Sequence, residues 1–257
     1  MKKTIFLLAL SMFFMGQGQE KNQDLADKLA NPVASMISVP ISSSLDIGVG
    51  PYKGSRMISN LQPVIPIRIS NKWEVITRTI LPFIDEKNII GYGHSSFGLG
   101  DINFSAFFSP KDSKGLVWGL GPAIVLPTAT ERFLGARKWS TGPTVVFLKQ
   151  KHGQTFGILG RQLWSFAGPN GREDVSELYL QPFYTYNFKS GAGLSTGMEL
   201  TQDWKSGYFS GYLNFTGSMI STFGKQPVSF ALGPRIPINS HAGGDWGLRV
   251  AITLIFK

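Results

Sequence analysis

The chain has 257 residues, among them 30 glycines, 15 prolines and no cysteine, with 12% aromatics and a formal net charge of +9. A single all-β barrel absorbs this length, so a second domain is not required. The lack of cysteine excludes thiol catalysis, disulfides and cysteine metal sites, and no apolar run approaches the roughly 20 residues of a transmembrane helix.

Residues 1–18 have the build of a secretory signal peptide. Lys2 and Lys3 form the basic start, Ile5 to Met15 the apolar stretch, and Gly16 and Gly18 the small residues before a cut at Gln19. Removing Lys2 and Lys3 takes the formal charge from +9 to +7 for the mature chain. A basic balance suits nucleic acid or an anionic surface. With an export signal the expected partners are outer-membrane lipid and lipopolysaccharide, and nothing in the chain resembles a nucleic-acid module.

Residues 19–33 are expected to form one short periplasmic helix. Leu25, Ala26 and Leu29 fall at helical spacing in a polar stretch, and Pro32 ends the helix by disfavouring helical backbone at the residue before it. From 34 to 257 the hydrophobic period is 2. Strand-like stretches recur at 34–47, 56–69, 73–85, 98–109, 115–127, 139–150, 154–167, 175–188, 192–203, 208–220, 227–238 and 245–257. Twelve strands would close an up-and-down barrel with both termini on the periplasmic side. The connections at 70–72, 110–114, 151–153, 189–191 and 221–226 are short, whereas 48–55, 86–97 and 128–138 are longer, the asymmetry expected of periplasmic turns and outer loops.

Prolines at 40, 63, 66, 82, 122, 127, 143, 182 and 234 fall inside these stretches, each removing a ladder donor. Several follow glycine, as in Gly121-Pro122, Gly142-Pro143 and Gly233-Pro234. They read as bulges or bends that curve a small barrel.

Alternation assigns the faces. Ile102, Phe104, Ala106 and Phe108 point to lipid, with Asp101, Asn103, Ser105 and Ser109 inward. Leu178, Leu180, Tyr184, Tyr186 and Phe188 oppose Glu177, Gln181, Thr185 and Asn187; Leu194, Met198, Leu200 and Trp204 oppose Ser195, Glu199, Thr201 and Asp203. The last strand is the most regular, with Trp246, Leu248, Val250, Ile252, Leu254 and Phe256 on one greasy face. A lipid-facing strand of about 9–11 residues crosses a bilayer if its sheet closes. Aromatics gather near strand ends, among them Trp73, Phe83, Trp118, Trp139, Tyr186, Trp204 and Trp246, as an interfacial girdle requires.

The same parity lines the lumen with Arg56, Arg68, Glu74, Arg78, Asp101, Arg161, Glu177, Glu199, Asp203, Arg235 and Arg249. Charges in this number call for a wet interior, because an unpaired charge in a dry one costs several kcal/mol. Arg68, Arg78, Asp101, Arg161, Glu177, Glu199, Arg235 and Arg249 are the candidate selectivity residues, the arginine rows attracting anionic groups. A ladder of salt bridges that braces and closes the barrel fits the same residues, and the pattern does not choose between them. Catalysis has little to stand on. The one candidate pair is His94 with Ser96, beside Asp101 in a glycine-rich loop; His152 and His241 fall in turns, and no histidines stand at metal spacing. No cofactor is expected.

The strings Leu29-Ala30-Asn31-Pro32-Val33-Ala34-Ser35, Ser38-Val39-Pro40, Gln62-Pro63-Val64-Ile65-Pro66, Arg78-Thr79-Ile80-Leu81-Pro82 and Leu126-Pro127-Thr128-Ala129-Thr130, with Gly224-Lys225-Gln226-Pro227-Val228 and Asp245-Trp246-Gly247-Leu248-Arg249, carry a resemblance over nearly the whole mature chain. It resembles a bacterial outer-membrane family labelled "transporter" or "putative meta-pathway of phenol degradation", and sometimes mislabelled neuromedin U. The resemblance implies an outer-membrane barrel admitting small aromatic or hydrophobic compounds, and brings no catalytic or binding residues with it. One departure is that Lys257 follows Phe256, where outer-membrane barrels commonly end on an aromatic. Phe256 is accordingly the residue through which barrel-assembly machinery would read the last strand.

Together these readings predict an all-β transmembrane antiparallel up-and-down barrel of about twelve strands, 34–257, behind a signal peptide and a short helix, in the cell outer membrane. The expected role is that of a non-enzymatic channel for passive uptake of small molecules. The rivals are a closed structural or adhesion barrel and a lipid-modifying enzyme.

Overall fold

The computed structural model describes residues 19–111, 115–239 and 243–256. The predicted signal segment 1–18, together with His241 and Lys257, lies outside the described residues.

Helix α1 (Gln19–Leu29) is followed by β1 (Ile37–Val49), β2 (Gly54–Leu61), β3 (Val64–Arg68), β4 (Trp73–Lys87), β5 (Ser95–Leu99), β6 (Ile102–Pro110), β7 (Leu116–Leu126), β8 (Trp139–Lys151), β9 (Gln154–Ala167), β10 (Ser176–Asn187), β11 (Ala192–Asp203), β12 (Phe209–Phe223), β13 (Gln226–Pro237) and β14 (Trp246–Phe256). All pairings are antiparallel between neighbours, and β14 pairs with β1 from Ile37↔Phe256 to Ile47↔Trp246, closing the wall. Both β2 and β3 pair with β4, as do both β5 and β6. Each couple is one stave interrupted at mid-wall, by Gln62-Pro63 and by Gly100-Asp101. The barrel therefore has twelve staves, matching the twelve predicted stretches, and closure leaves no lateral row of unpaired backbone groups through the apolar layer. The turns at the end carrying both termini are tight; His152 and Gly153, both with positive φ, make the two-residue hairpin between β8 and β9. The opposite end carries the longer loops, including 88–94 and 127–138.

The prolines sit where the ladders are interrupted. The β6–β7 register skips from Ser105↔Ala123 to Phe108↔Leu120, opposite Gly121-Pro122. The β8–β9 register skips from Thr141↔Trp164 to Thr144↔Arg161 at Gly142-Pro143, and β12–β13 skips from Asn214↔Arg235 to Gly217↔Leu232 at Gly233-Pro234. A fourth skip, between β10 and β11, falls at Gln181-Pro182. In each Gly-Pro pair the glycine lies against a neighbouring carbonyl: Ala106 for Gly121, Gln162 for Gly142 and Phe215 for Gly233. Proline withholds a donor and glycine permits the close approach, so the staves bend without leaving a donor stranded in the wall. Pro66 has a different reason. Thr79 donates to the Pro63 carbonyl, so alternate residues from 63 face β4 and Pro66 faces away, where β1 offers β3 only the Ser38↔Val64 pair.

A β-carbon at Gly233 would drive into the Phe215 carbonyl, whereas one at Gly217, also on β12–β13, meets nothing within 4 Å. Gly233→Val is expected to lower folding stability by about 1–3 kcal/mol, as overpacking against backbone does, and Gly217→Val to leave it unchanged. Urea unfolding from lipid vesicles checks both, and equal midpoints would contradict the close approach.

Outside, the predicted lipid-facing residues are exposed: Leu194, Met198, Trp246, Leu248, Val250 and Ile252 among them. Girdle aromatics stack in pairs, such as Trp73 with Trp118, centroids 5.8 Å apart, and Tyr186 with Phe188 at 4.9 Å. An apolar exterior of this extent on a closed barrel is the surface of a membrane-spanning wall.

The interior is divided, with an apolar level beside the charged one. Toward the terminal end Ile76, Phe107, Val146, Leu148 and Leu159 point inward, buried, and pack with Val33. Parity placed these residues inside, but only the closed wall brings those of four staves together. Their partner is the N-terminal segment. Leu25 and Ala26 of α1 pack on Ile220 and Ile255, Gln23 donates to the Asn187 carbonyl at 3.2 Å, and the Asp27 carboxylate accepts from Asn187 at 2.8 Å. Gln150 donates to the Asp27 carbonyl at 2.7 Å, and the Ser35 hydroxyl donates to buried Glu74. The helix lies across the terminal mouth, and the chain then threads through the lumen before entering the wall at Ile37.

Candidate functional site

Above the apolar plug the staves turn charged side chains inward at one level. Arg56 and Glu86 are register partners on β2 and β4 and form an ion pair of 2.7 Å. Arg235 of β13 is the hub of a second group. It donates to Asp46 of β1 at 3.1 Å, to Glu199 of β11 at 2.5 Å and to Asn214 of β12 at 3.4 Å. Its guanidinium carbon stands 3.5 Å from the centre of the Tyr212 ring. Arg249 of β14 donates to the other oxygen of Glu199. The belt crosses five successive staves, so its pairs connect strands that the backbone ladder joins only one neighbour at a time.

On the facing wall Arg161 of β9 pairs with Glu177 of β10 at 3.1 Å, and lies over Tyr179 with 5.6 Å to the ring centre. Arg78 of β4 donates to the Gln62 amide oxygen at 2.8 Å and makes no salt bridge among the described residues. It stands within electrostatic reach of Arg161, Arg249 and Glu199. Two cavities meet at this level. One, of about 350 Å³, lies between the N-terminal segment and the wall and is lined by Leu29, Asn31, Met36, Gln62, Gln181 and Ser195, among others. The other, of about 280 Å³, lies toward the loop end between Asp101, Asn103, Ser105, Thr144, Arg161 and Tyr179. Arg78 and Leu159 line both cavities and form the partition between them.

The predicted lumen residues thus divide. Arg78, Arg161, Glu177, Glu199, Arg235 and Arg249 converge on the interior. Arg68 does not: it is exposed at the terminal end of β3. Asp203 caps the 203–206 turn by accepting from the amides of Lys205 and Ser206, which takes it out of the lumen row. Asp101 lines the cavity, yet its two oxygens accept from the backbone amides of Ala129 (3.0 Å) and Arg137 (2.8 Å), fastening the 127–138 loop over the stave break. Sequence reading missed Asp46, Glu86 and Tyr179. All three have inward parity; Asp46 stood in a serine-rich stretch, the predicted strand stopped one residue short of Glu86, and Tyr179 was hidden among the outward aromatics of β10.

The loop end is clasped. Arg172 donates to the carbonyls of Gly135 and Ala136, and Lys138 pairs with Asp174 at 3.1 Å. The Lys138 ammonium, hydrogen-bonded to Asp174, holds that carboxyl below the usual carboxylate range. A depressed pKa gives a contribution present above the unfolded value and lost as pH falls through the folded one. Acidification and Arg172→Ala are therefore both expected to loosen this loop. Proteolysis after Arg132 or Arg137 at neutral pH checks the variant, and hydrogen exchange compared with Asp174→Asn checks the acid arm. An unchanged cleavage rate would show that the Arg172 contacts do not hold the loop.

His94 packs edge-on against Phe133 with centroids 6.3 Å apart, and no hydrogen bond joins it to Ser96 among the described residues. The described residues also contain no cluster of three metal-ligating side chains.

The fold is similar to that of an outer membrane channel from Pseudomonas putida F1, with a TM-score of 0.67 and 12% identity over 87% of this chain and 97% of that one. More distant are the NanC porin, at TM-score 0.46 and 11% identity over 86% of this chain and 99% of that one, and the β domain of the Bordetella autotransporter BrkA, at 0.43 and 11% over 86% and 100%. No curated protein matches the chain by sequence. Residues 44–237, running from within β1 to the end of β13, match the family described as "Putative MetA-pathway of phenol degradation", and the chain belongs to that family.

Proposed function

We propose that the protein is an outer-membrane channel for passive passage of small solutes, held narrow by its own N-terminal segment. The observation that carries this reading is the pair of internal cavities, about 350 and 280 Å³, that meet at Arg78 and Leu159 inside a lipid-facing barrel. A charged belt above a short apolar constriction suits solutes with one polar end and one apolar body, and the family's association with phenol degradation supports small aromatic or hydrophobic compounds. In this orientation the terminal end faces the periplasm and the clasped loops face outward. The reading is non-enzymatic, in keeping with the outer membrane channel whose fold the chain shares.

A second reading has a specific observation behind it. The interlocked group of Asp46, Glu199, Arg235 and Arg249 spans the wall as a brace, as a closed structural barrel would use it. Single-channel recording and liposome swelling with phenolics, fatty acids and sugars separate the two. Flux in the intact chain or after removal of residues 19–33 supports the channel; none in either case leaves the brace.

A further inference from the structure

We infer that the cavity on the loop side of Arg78 is a binding site for a small carboxylate with an apolar, ring-sized body. This deepens the channel reading and rests on it for access from the membrane's outer face.

The starting point is an unsatisfied group. The Nε–H of Arg161 is buried with no hydrogen-bond partner, while its Nη2 is held by Glu177. Buried donors in native proteins have a partner in the great majority of cases, and an exception points to a bound water, ion or ligand. Arg161 lines the 280 Å³ cavity together with Arg78. Arg78 brings a second guanidinium, one with no carboxylate partner among the described residues, since its hydrogen bond goes to the neutral Gln62. Every other arginine of the interior group has a carboxylate within 4 Å: Arg161 has Glu177, Arg56 has Glu86, Arg235 has Asp46 and Glu199, and Arg249 has Glu199. The unmatched guanidinium of Arg78 and the unused Nε–H of Arg161 thus both lie on this cavity.

The remaining lining divides cleanly. Tyr179, Asn103, Ser105 and Thr144 supply neutral polar groups, while Ile80, Phe107 and Leu159 give an apolar floor. The one acid, Asp101, has its two oxygens turned to the amides of Ala129 and Arg137. The site therefore pairs two guanidiniums with a greasy floor. Arginine forks match carboxylate oxygens, and a low-dielectric surround strengthens the contact. The volume lies near the lower limit of the roughly 300–1,000 Å³ typical of small-molecule sites, which favours a single ring over an extended chain. Because Arg78 also lines the periplasmic-side cavity, a ligand released from this site would pass the same side chain on its way through.

Titration calorimetry on the full mature chain in detergent tests the site without any membrane flux. Benzoate is expected to bind roughly tenfold or more tightly than benzamide, its neutral analogue, and more tightly than acetate, which lacks the ring. Arg161→Gln and Arg78→Gln are each expected to weaken benzoate by a similar factor with benzamide unmoved, and Arg78→Lys to recover part of the loss. Heat-modifiable migration of each variant verifies the barrel, and the comparison of three ligands on the unaltered chain needs no variant. Equal binding of benzoate and benzamide would overturn the site, as would acetate or inorganic phosphate binding as tightly as benzoate. Binding without flux in liposomes would instead sink the channel reading and leave the site standing; flux without binding would do the reverse.

Discussion

Removing residues 19–33 is expected to raise single-channel conductance severalfold and to admit solutes that the intact chain excludes. The segment contributes both halves of the closure. Leu25 and Ala26 lie over Ile220 and Ile255 at the terminal mouth, and Val33 completes the cluster of Ile76, Phe107, Val146, Leu148 and Leu159 farther in. Without it these side chains line open space, and no other described segment occupies that end of the lumen. The wall itself should persist, because its ladders run from Ile37 onward and close through β14 independently of α1. Some stability should go: burying Val33 alone is worth about 1.5–3 kcal/mol. The polar contacts of Gln23 and Asp27 with the Asn187 region contribute less, since water replaces them. Planar-bilayer recording of a chain lacking residues 19–33, beside the intact chain, is the measurement. Unchanged conductance from a folded barrel would mean that residues 19–33 do not hold the lumen narrow.

Arg235→Met is expected to cost about 3–5 kcal/mol of folding stability, the range for removing one partner of a buried pair. Arg235 is 7% exposed and Asp46 3%, so the change leaves an acid with little water and without its cation. Glu199 suffers less because Arg249 still holds its other oxygen. The double change Asp46→Leu with Arg235→Met is therefore expected to recover most of the loss, since replacing both members of a buried pair by apolar groups is often neutral. Urea-induced unfolding from vesicles reads both variants. A single-variant loss below about 1 kcal/mol, the value of a solvent-exposed pair, would show that water reaches the belt freely. That outcome would also remove the physical basis for the belt as a brace.

The strand pattern and the twelve-stave count were legible because lipid on one side and lumen on the other force every stave into a period of 2. Trp246 to Phe256 shows it best: its greasy residues are outside, and Gly247, Arg249 and Ile255 are inside. The prolines were legible as bends but not as a set. Only the registers reveal that Gly121-Pro122, Gly142-Pro143 and Gly233-Pro234 each fall opposite a gap in the ladder of one neighbouring stave.

What the sequence by itself determined is which side of the wall each residue occupies, because that depends on nothing beyond parity. Depth and pairing were decided by the tertiary structure, through the stagger at which the staves close. That stagger sets Arg235 beside Asp46 across 189 positions of sequence and leaves Arg68 exposed on the rim. It gathers Ile76, Phe107 and Val146 into one apolar level that Val33 completes from within. It also leaves Arg78 and the Arg161 Nε–H in one cavity without a carboxylate between them. A period of 2 carries no information about height along the barrel axis, so the charged belt, the plug and the cavity between them exist only once the wall is closed.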